Sequence, residues 1–165
     1  MVIQLGNLDS VGVLDTANYT DNGYMGLIGG STTQRIDIFE VYIGGQATSS
    51  APTFMTLSRD STVEATPTAL TTAQKNAALD PATAALAAAQ IAFTASTTKP
   101  QRSATLAGIN LSYNAFGGIV RWTAMDPTET FKTLGNTASL GEVSLSAYTG
   151  GTPGLCGAHI IYEPL

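Results

Sequence analysis

The chain has 165 residues, of which 44% are hydrophobic and only 12% are charged, with a net charge of −5. This length fits one domain with its own core. The charged fraction is about half of the roughly 25% usual in globular proteins, and so low a fraction favours a subunit whose surface is covered by partners. The seven basic residues are scattered, and no run of about 20 apolar residues occurs. Direct nucleic-acid binding and a membrane-spanning helix are therefore not expected.

Residues 1–30 are predicted to form an extended N-terminal arm. The apolar runs at 2–5 and 11–14 are short, and turn-forming Gly, Asn and Asp residues separate them. Such a segment is either a meander of short strands or an arm that lies over a neighbour. We expect Val2, Ile3 and Leu5 to add a strand to the open sheet edge of a neighbouring subunit.

The beginning of the chain lacks the pattern of a secretory signal, because no basic residue precedes the first apolar residues and Asp9 follows early. Cys156 is the single cysteine, so it cannot form an internal disulfide. Both features lead us to expect synthesis in the cytosol.

The clearest strand is predicted at residues 34–43. Strict alternation puts its apolar side chains on opposite faces, with Ile36, Ile38 and Tyr42 on one and Phe39, Val41 and Ile43 on the other. A strand with two apolar faces is expected at the centre of a sheet, covered on both sides. Asp37 and Glu40 interrupt these faces and are expected near solvent or a partner.

Further strands are predicted at 54–59, 110–113, 118–123, 142–148 and 159–163. In the first of these, Met55 and Leu57 are expected to face inward. The strand at 142–148 alternates regularly. Its inward residues are Val143, Leu145 and Ala147, and its outward residues are Glu142, Ser144 and Ser146.

Residues 62–106 form an Ala/Thr-rich insertion with few ionisable groups. Asp80-Pro81 matches a helix N-cap followed by proline at the first helical position, and helix propensity is high from 82 to 90. One short helix or an irregular excursion is expected there, with residues 91–93 returning towards a strand.

Short strands about 8–12 residues apart, separated by Gly, Pro and Asn-Gly turns, predict an all-β fold. We expect one antiparallel β-sandwich or jelly-roll-like domain over residues 31–165, preceded by the arm. A parallel α/β domain is not expected, because long helices do not alternate with the strands.

Catalytic residues are not predicted. His159 is the single histidine, and Cys156 and Glu163 lie close in sequence. In an extended strand the four residues from His159 to Glu163 span roughly 13 Å, so local geometry does not unite a triad. A strand or interface histidine is the expected role. Asp126 and Glu129 are spaced for a pair of glycosidase carboxyls, but nothing around them suggests a sugar cleft.

Metal and phosphate sites are not predicted either. One Cys and one His are too few for a structural zinc site. Asp9, Asp15 and Asp21 recur every six residues but lack the dense calcium-loop pattern, so they are expected to be turn residues. The glycine pairs lack the Lys-Ser/Thr that a phosphate loop requires, and are expected in turns; they are Gly29-Gly30, Gly44-Gly45, Gly117-Gly118 and Gly150-Gly151.

Two strings, Tyr42-Ile43-Gly44-Gly45 and NAFGGIVRW at 114–122, resemble uncharacterised virion structural proteins of tailed bacteriophages. The likeness continues in GEVSLS at 141–146, GTPG at 151–154 and HIIYE at 159–163, and covers residues 35–165. It rests on turn and core residues rather than on a chemical signature. The resemblance implies a small capsid-associated protein, such as a decoration or cement subunit built on a β-sandwich, with no catalytic residue to carry over.

The sequence therefore predicts a virion structural protein rather than an enzyme: a capsid decoration, cement or minor capsid subunit, made in the host cytoplasm, that stabilises the shell through oligomeric contacts. Expected partners are further copies of the chain (a trimer is one arrangement) and the major capsid protein, with no nucleic acid, membrane or cofactor. The alternative is a carbohydrate- or receptor-binding β-module of a phage spike or fibre. Its candidate aromatic residues are Tyr19, Tyr24, Tyr113 and Tyr148.

Overall fold

A computed structural model shows an all-β fold, which confirms the predicted class. It describes residues 3–6, 23–29, 31–62, 68–69, 77–78, 90–94, 101–103, 105, 108–135, 141–147 and 156–165. Within these ranges there is no helix, and the strands form two antiparallel sheets. The jelly-roll connectivity stays a prediction.

The strands are numbered in chain order. They are β1 (Ile3–Gly6), β2 (Gly23–Gly29), β3 (Ile36–Gly45), β4 (Pro52–Thr62), β5 (Thr68–Ala69), β6 (Ala77–Ala78), β7 (Gln90–Thr94), β8 (Gln101–Arg102), β9 (Ile109–Asn114), β10 (Ile119–Thr123), β11 (Phe131–Lys132), β12 (Glu142–Ala147) and β13 (Cys156–Pro164). Every strand predicted from residue 34 onward outside the insertion has a counterpart here, with ends that differ by a few residues. The two-residue strand β11 was not predicted.

Each sheet is built from segments distant in sequence. Sheet A has the order β10-β3-β13-β1-β6, and β11 also pairs with β3. Sheet B has the order β5-β7-β2-β12-β4-β8, and β9 also pairs with β4. The turn that connects β9 to β10 therefore crosses from sheet B to sheet A.

One hydrophobic cluster contains apolar side chains from both sheets, which bury each other there. Met55 and Leu57 belong to it, as the sequence predicts. Its members from sheet A are Ile36, Ile38, Val41, Ile43, Cys156, Ala158, Ile160 and Tyr162, and those from sheet B are Leu27, Met55, Leu57, Leu111, Val143 and Leu145.

A β-bulge in β3 overturns the predicted alternation of that strand. Glu40 pairs with Ile161 and Ile38 pairs with Tyr162, so Phe39 is an extra residue without its own partner on β13. One extra residue shifts the side-chain alternation by one position. The core face therefore carries even-numbered residues before the bulge and odd-numbered residues after it, and the opposite face carries Asp37, Glu40 and Tyr42.

The outward residues of β12 are also buried, which corrects the expectation that they are solvent-facing. Ser144 and Ser146 lie on the face of sheet B that points away from the core, but neither side chain is exposed. Glu142 is likewise fully buried. Alternation predicted which face these side chains occupy; it could not show that this face is covered.

The arm and the insertion both take part in the sheets. Of residues 1–30, β1 pairs with β13 inside sheet A, β2 lies between β7 and β12 inside sheet B, and Leu27 belongs to the core. For these two ranges the prediction of an arm is corrected, since their backbones pair within the subunit's own sheets. The insertion adds strands to both sheets, and β7 confirms the predicted return to a strand at 91–93. Residues 82–89 of the expected helix lie outside the described part of the chain, and Gln90 is the first residue of β7.

Candidate interaction surface

Strand β10 forms one edge of sheet A, and its backbone presents free hydrogen-bonding groups there. The carbonyl of Gly118 accepts from the Gly45 amide at 2.8 Å, and the Ala124 amide donates to the Phe39 carbonyl at 2.7 Å. In an antiparallel ladder these bonds recur at every second residue. The N–H and C=O groups of Ile119, Arg121 and Thr123 therefore point away from β3, and no described strand pairs with them.

Large apolar side chains are exposed at both ends of this edge. Ile119 begins β10 and is 68% exposed, Phe116 in the preceding turn is 58% exposed, and Met125 just after the strand is 94% exposed. Single exposed apolar residues are common, but three along one unpaired strand edge mark a place where another chain can bury surface.

Hydrogen bonds to the Asn114 side chain hold the turn at 114–118 in place and so fix the position of Phe116. Asn114 Oδ1 accepts from the amides of Ala51 and Phe116, both at 3.0 Å. The turn packs tightly against the end of β3. A Cβ at Gly45, the last residue of that strand, would lie 2.1 Å from the Ala115 carbonyl oxygen. The glycine pairs Gly44-Gly45 and Gly117-Gly118 therefore lie next to each other. Gly45 allows the close contact with Ala115, and Gly117 lies in the turn with a positive φ of 68°.

A cluster of charged and aromatic side chains lies next to this edge on the outer face of sheet A. Arg121 Nη2 donates to Glu40 Oε2 at 2.5 Å, and His159 Nε2 lies 3.2 Å from Glu40 Oε1. The rings of Tyr42 and His159 stack with centroids 4.9 Å apart and an interplanar angle of 9°. The register of β10, β3 and β13 aligns Arg121, Tyr42 and His159 in one row across the sheet.

A second ion pair continues the cluster along β3. Lys132 Nζ donates to Asp37 Oδ2 at 2.5 Å and to Thr130 Oγ1 at 2.8 Å, and Thr130 Oγ1 donates to Asp37 Oδ2 at 3.2 Å. In both pairs the cation is more exposed than the carboxylate; the side chain of Arg121 is 61% exposed and that of Glu40 only 10%. The cation is therefore the solvent-facing member of each pair.

The pKa of Glu40 follows from these contacts. Burial acts to raise the pKa of the carboxyl, but the hydrogen bonds and positive charges of Arg121 and His159 outweigh it. The pKa of Glu40 therefore lies below its ordinary value of 4.5, and the carboxylate is ionised at neutral pH.

The structure does not bring the histidine and the cysteine together. Cys156 is buried in the core, and burial raises the pKa of its thiol, which makes it a poor nucleophile. His159 lies on the opposite face of β13 and contacts Glu40 and Tyr42 instead. The contact of His159 with Glu40 was not predicted from the sequence. The sequence feature that hints at it is the charged residue Glu40 among the apolar residues of β3.

The other candidate residues have ordinary surroundings or lie outside the described part of the chain. Asp126 Oδ1 accepts hydrogen bonds from the amide and hydroxyl of Thr128, which fixes a surface turn. Among the described residues there is no group of three or more His, Cys, Asp or Glu side chains that could hold a metal ion. Five candidates fall outside the described residues: Asp9, Asp15, Asp21, Tyr19 and Tyr148.

No family model, curated protein or solved structure matches the chain. In the described ranges, no helix is long and apolar enough to cross a membrane.

Proposed function

We propose that the chain is a structural subunit of a virion, a capsid decoration, cement or minor capsid protein that binds its neighbours through the β10 edge. The observation that carries this proposal is the combination, on one sheet edge, of free backbone groups with the exposed side chains of Ile119, Phe116 and Met125. Backbone pairing along an edge supplies affinity, and the flanking apolar side chains supply buried area.

Composition and resemblance support the same proposal. A charged fraction of 12% suits a surface that partners cover. The strings that resemble phage virion proteins include Gly44-Gly45 and residues 114–122, which together build this corner of the molecule. Individually weak contacts of this kind become strong when a closed lattice repeats them.

Sedimentation velocity over a range of protein concentrations tests the use of this edge. The wild type is expected to form a defined homo-oligomer, and Ile119→Lys is expected to remain monomeric, because an edge lysine blocks strand pairing. Thr32→Lys is the matched control, since Thr32 is exposed and precedes the opposite end of β3. A wild type that stays monomeric at every concentration, or an Ile119→Lys variant that assembles normally, contradicts the proposal.

The virion assignment needs a separate measurement. Mass spectrometry of tailed virions purified from cells that carry the gene in its natural context is expected to detect peptides of this chain in many copies per particle. Their absence from the particles would remove the virion role even if the protein self-assembles.

A second candidate is a carbohydrate-binding module. The stacked rings of Tyr42 and His159, next to the Glu40 carboxylate and the Arg121 guanidinium, combine an aromatic platform with polar groups that suit a sugar. Glycan-array binding by the wild type that is lost in Tyr42→Ala and kept in Ile119→Lys would favour this candidate over the first.

A further inference from the structure

The exposed side chains along the β10 edge follow a pattern that is the same in both directions. Even-numbered residues of β10 direct their backbone groups to β3, as the bonds of Gly118 and Ala124 show, so the odd-numbered ones face outward. Met125 follows the strand and is 94% exposed. Exposed side chains at every second position therefore line the edge, in the order Ile119, Arg121, Thr123 and Met125. Their character is apolar, polar, polar, apolar, which is symmetric about Trp122.

A pattern of this kind is complementary to a second copy of itself. When the same edge of two copies pairs antiparallel, a twofold axis relates the copies and every contact occurs twice. With the axis at Trp122, Ile119 of one copy lies opposite Met125 of the other, so these exposed apolar side chains bury each other. Arg121 lies opposite Thr123 of the other copy, and their outward backbone groups exchange both hydrogen bonds of the pair.

Neighbouring registers match the edge to itself less well. With the axis at Arg121, the guanidinium groups of the two copies lie directly opposite each other, an arrangement that destabilises strand pairing. Ile119 then faces a threonine and Met125 faces the turn, so neither apolar side chain has an apolar partner. With the axis at Val120, Ile119 faces the charged Arg121. The register centred on Trp122 is therefore the one that side-chain chemistry favours.

The charges near the edge also fit an antiparallel pair. Asp126 is exposed in the turn after β10, and an in-register parallel pair would put the Asp126 carboxylates of both copies side by side. The antiparallel pair places one Asp126 opposite Gly118 of the other copy, which separates the two carboxylates by roughly 27 Å along the strands. Glu40 of the same copy balances the charge of Arg121, so positive charge does not accumulate at the axis.

Trp122 lies on the inner face of β10, at the axis of this register. Its ring packs against the core and is only partly buried. In the twofold pair the ring lies opposite its equivalent, and contact between the two rings covers part of the surface that is exposed in one copy. Trp122 is the single tryptophan of the chain, so tryptophan fluorescence reports on the axis alone.

We propose that two copies of the chain pair through β10 as an antiparallel twofold dimer centred on Trp122, which joins sheet A of each copy into one continuous sheet. The proposal rests on the assembly role of the β10 edge and adds the partner, its orientation and its register. Ile119 and Met125 provide the buried apolar area. Arg121 determines the register, because its equivalent in the other copy repels it in the neighbouring alignment.

Disulfide formation between single cysteines at exposed positions of the edge tests the register. Arg121→Cys and Thr123→Cys are mixed in equal amounts under mild oxidation, and intact mass identifies the products. A mixed disulfide is expected to dominate, because directly opposite Cα atoms lie about 5.5 Å apart, within the range that a disulfide spans. The wild type, whose Cys156 is buried in the core, is the control and should not cross-link.

Other products would overturn the register. An Arg121→Cys homodimer as the main product, or a mixed disulfide of Ile119→Cys with Thr123→Cys, would place the axis at Arg121. The emission of Trp122 in the wild type supplies a readout that needs no variant. It should shift to longer wavelength on dilution, over the concentrations at which sedimentation velocity shows dissociation. Emission that stays constant while the dimer dissociates would also overturn the inference.

Two results separate the twofold pairing from the wider proposal of assembly through this edge. If the wild type assembles and Ile119→Lys does not, but no pair of these cysteines cross-links, the edge binds a different strand and only the twofold pairing is wrong. If the wild type remains monomeric at every concentration, the assembly role of the edge is itself contradicted.

Discussion

Truncation of Leu145 and of its neighbour Ser144 tests whether both faces of β12 are buried. Leu145 has no exposed surface, belongs to the cluster that joins the sheets, and pairs with Leu57 of β4. Leu145→Ala removes three carbon atoms, which at about 0.8 kcal/mol each is roughly 2.4 kcal/mol of transfer free energy before any cavity is counted. With the cavity, the expected loss in the free energy of unfolding is about 2–5 kcal/mol.

Ser144→Ala measures the opposite face. Its hydroxyl donates to Asp60 and is fully buried, so its removal leaves a buried carboxyl oxygen without a donor. The expected loss is about 1–3 kcal/mol, whereas a solvent-facing serine would cost at most about 0.5 kcal/mol. Ser112→Ala, at an exposed position on β9, is the control and should stay within that smaller range.

Urea denaturation near neutral pH is the appropriate assay, because a shift of the midpoint at constant slope reports stability alone. A loss at Ser144 no larger than at Ser112 would refute the burial of the outer face of sheet B. A loss at Leu145 below about 1 kcal/mol would refute the shared core.

Two further predictions concern the β3 region. Gly45→Ala should destabilise the fold by roughly 1–3 kcal/mol in denaturant unfolding, because its Cβ would overlap the Ala115 carbonyl, whereas Gly157→Ala, with its nearest contact at 3.7 Å, should be tolerated. Arg121→Met should cost at most about 1 kcal/mol near neutral pH, because the guanidinium is mostly exposed. Since the pKa of Glu40 is lowered on folding, its contribution is present above 4.5 and lost as pH falls through the folded value. The difference between wild type and Arg121→Met should therefore shrink as pH falls below 4.5, and a difference that does not change with pH would show that Arg121 acts through packing rather than charge.

The sequence by itself determined the class of the fold and the places of most strands. Apolar residues at every second position, with Gly and Asn-Gly between the runs, predicted β4, β9, β10, β12 and β13. The inward direction of Met55, Leu57, Val143 and Leu145 followed from the same period. These features are local, because the alternation of side chains along a strand depends only on the extended backbone.

Only the tertiary structure decided which segments pair and what covers each face. The bulge at Phe39 shows the limit of the local signal, since one residue without a partner on β13 reverses the faces of everything after it. The same limit applies to β1 and β2. Their short apolar runs predicted an arm, and only the pairing of β1 with β13 and of β2 with β12 and β7 shows their place in the sheets. The burial of Asp60 and Glu142 could not be predicted from the sequence either, because a polar residue at an outward position looks the same whether water or another part of the fold covers it. Pairing and covering are contacts between segments far apart in sequence, such as Ile3 and Tyr162, and no local period encodes them.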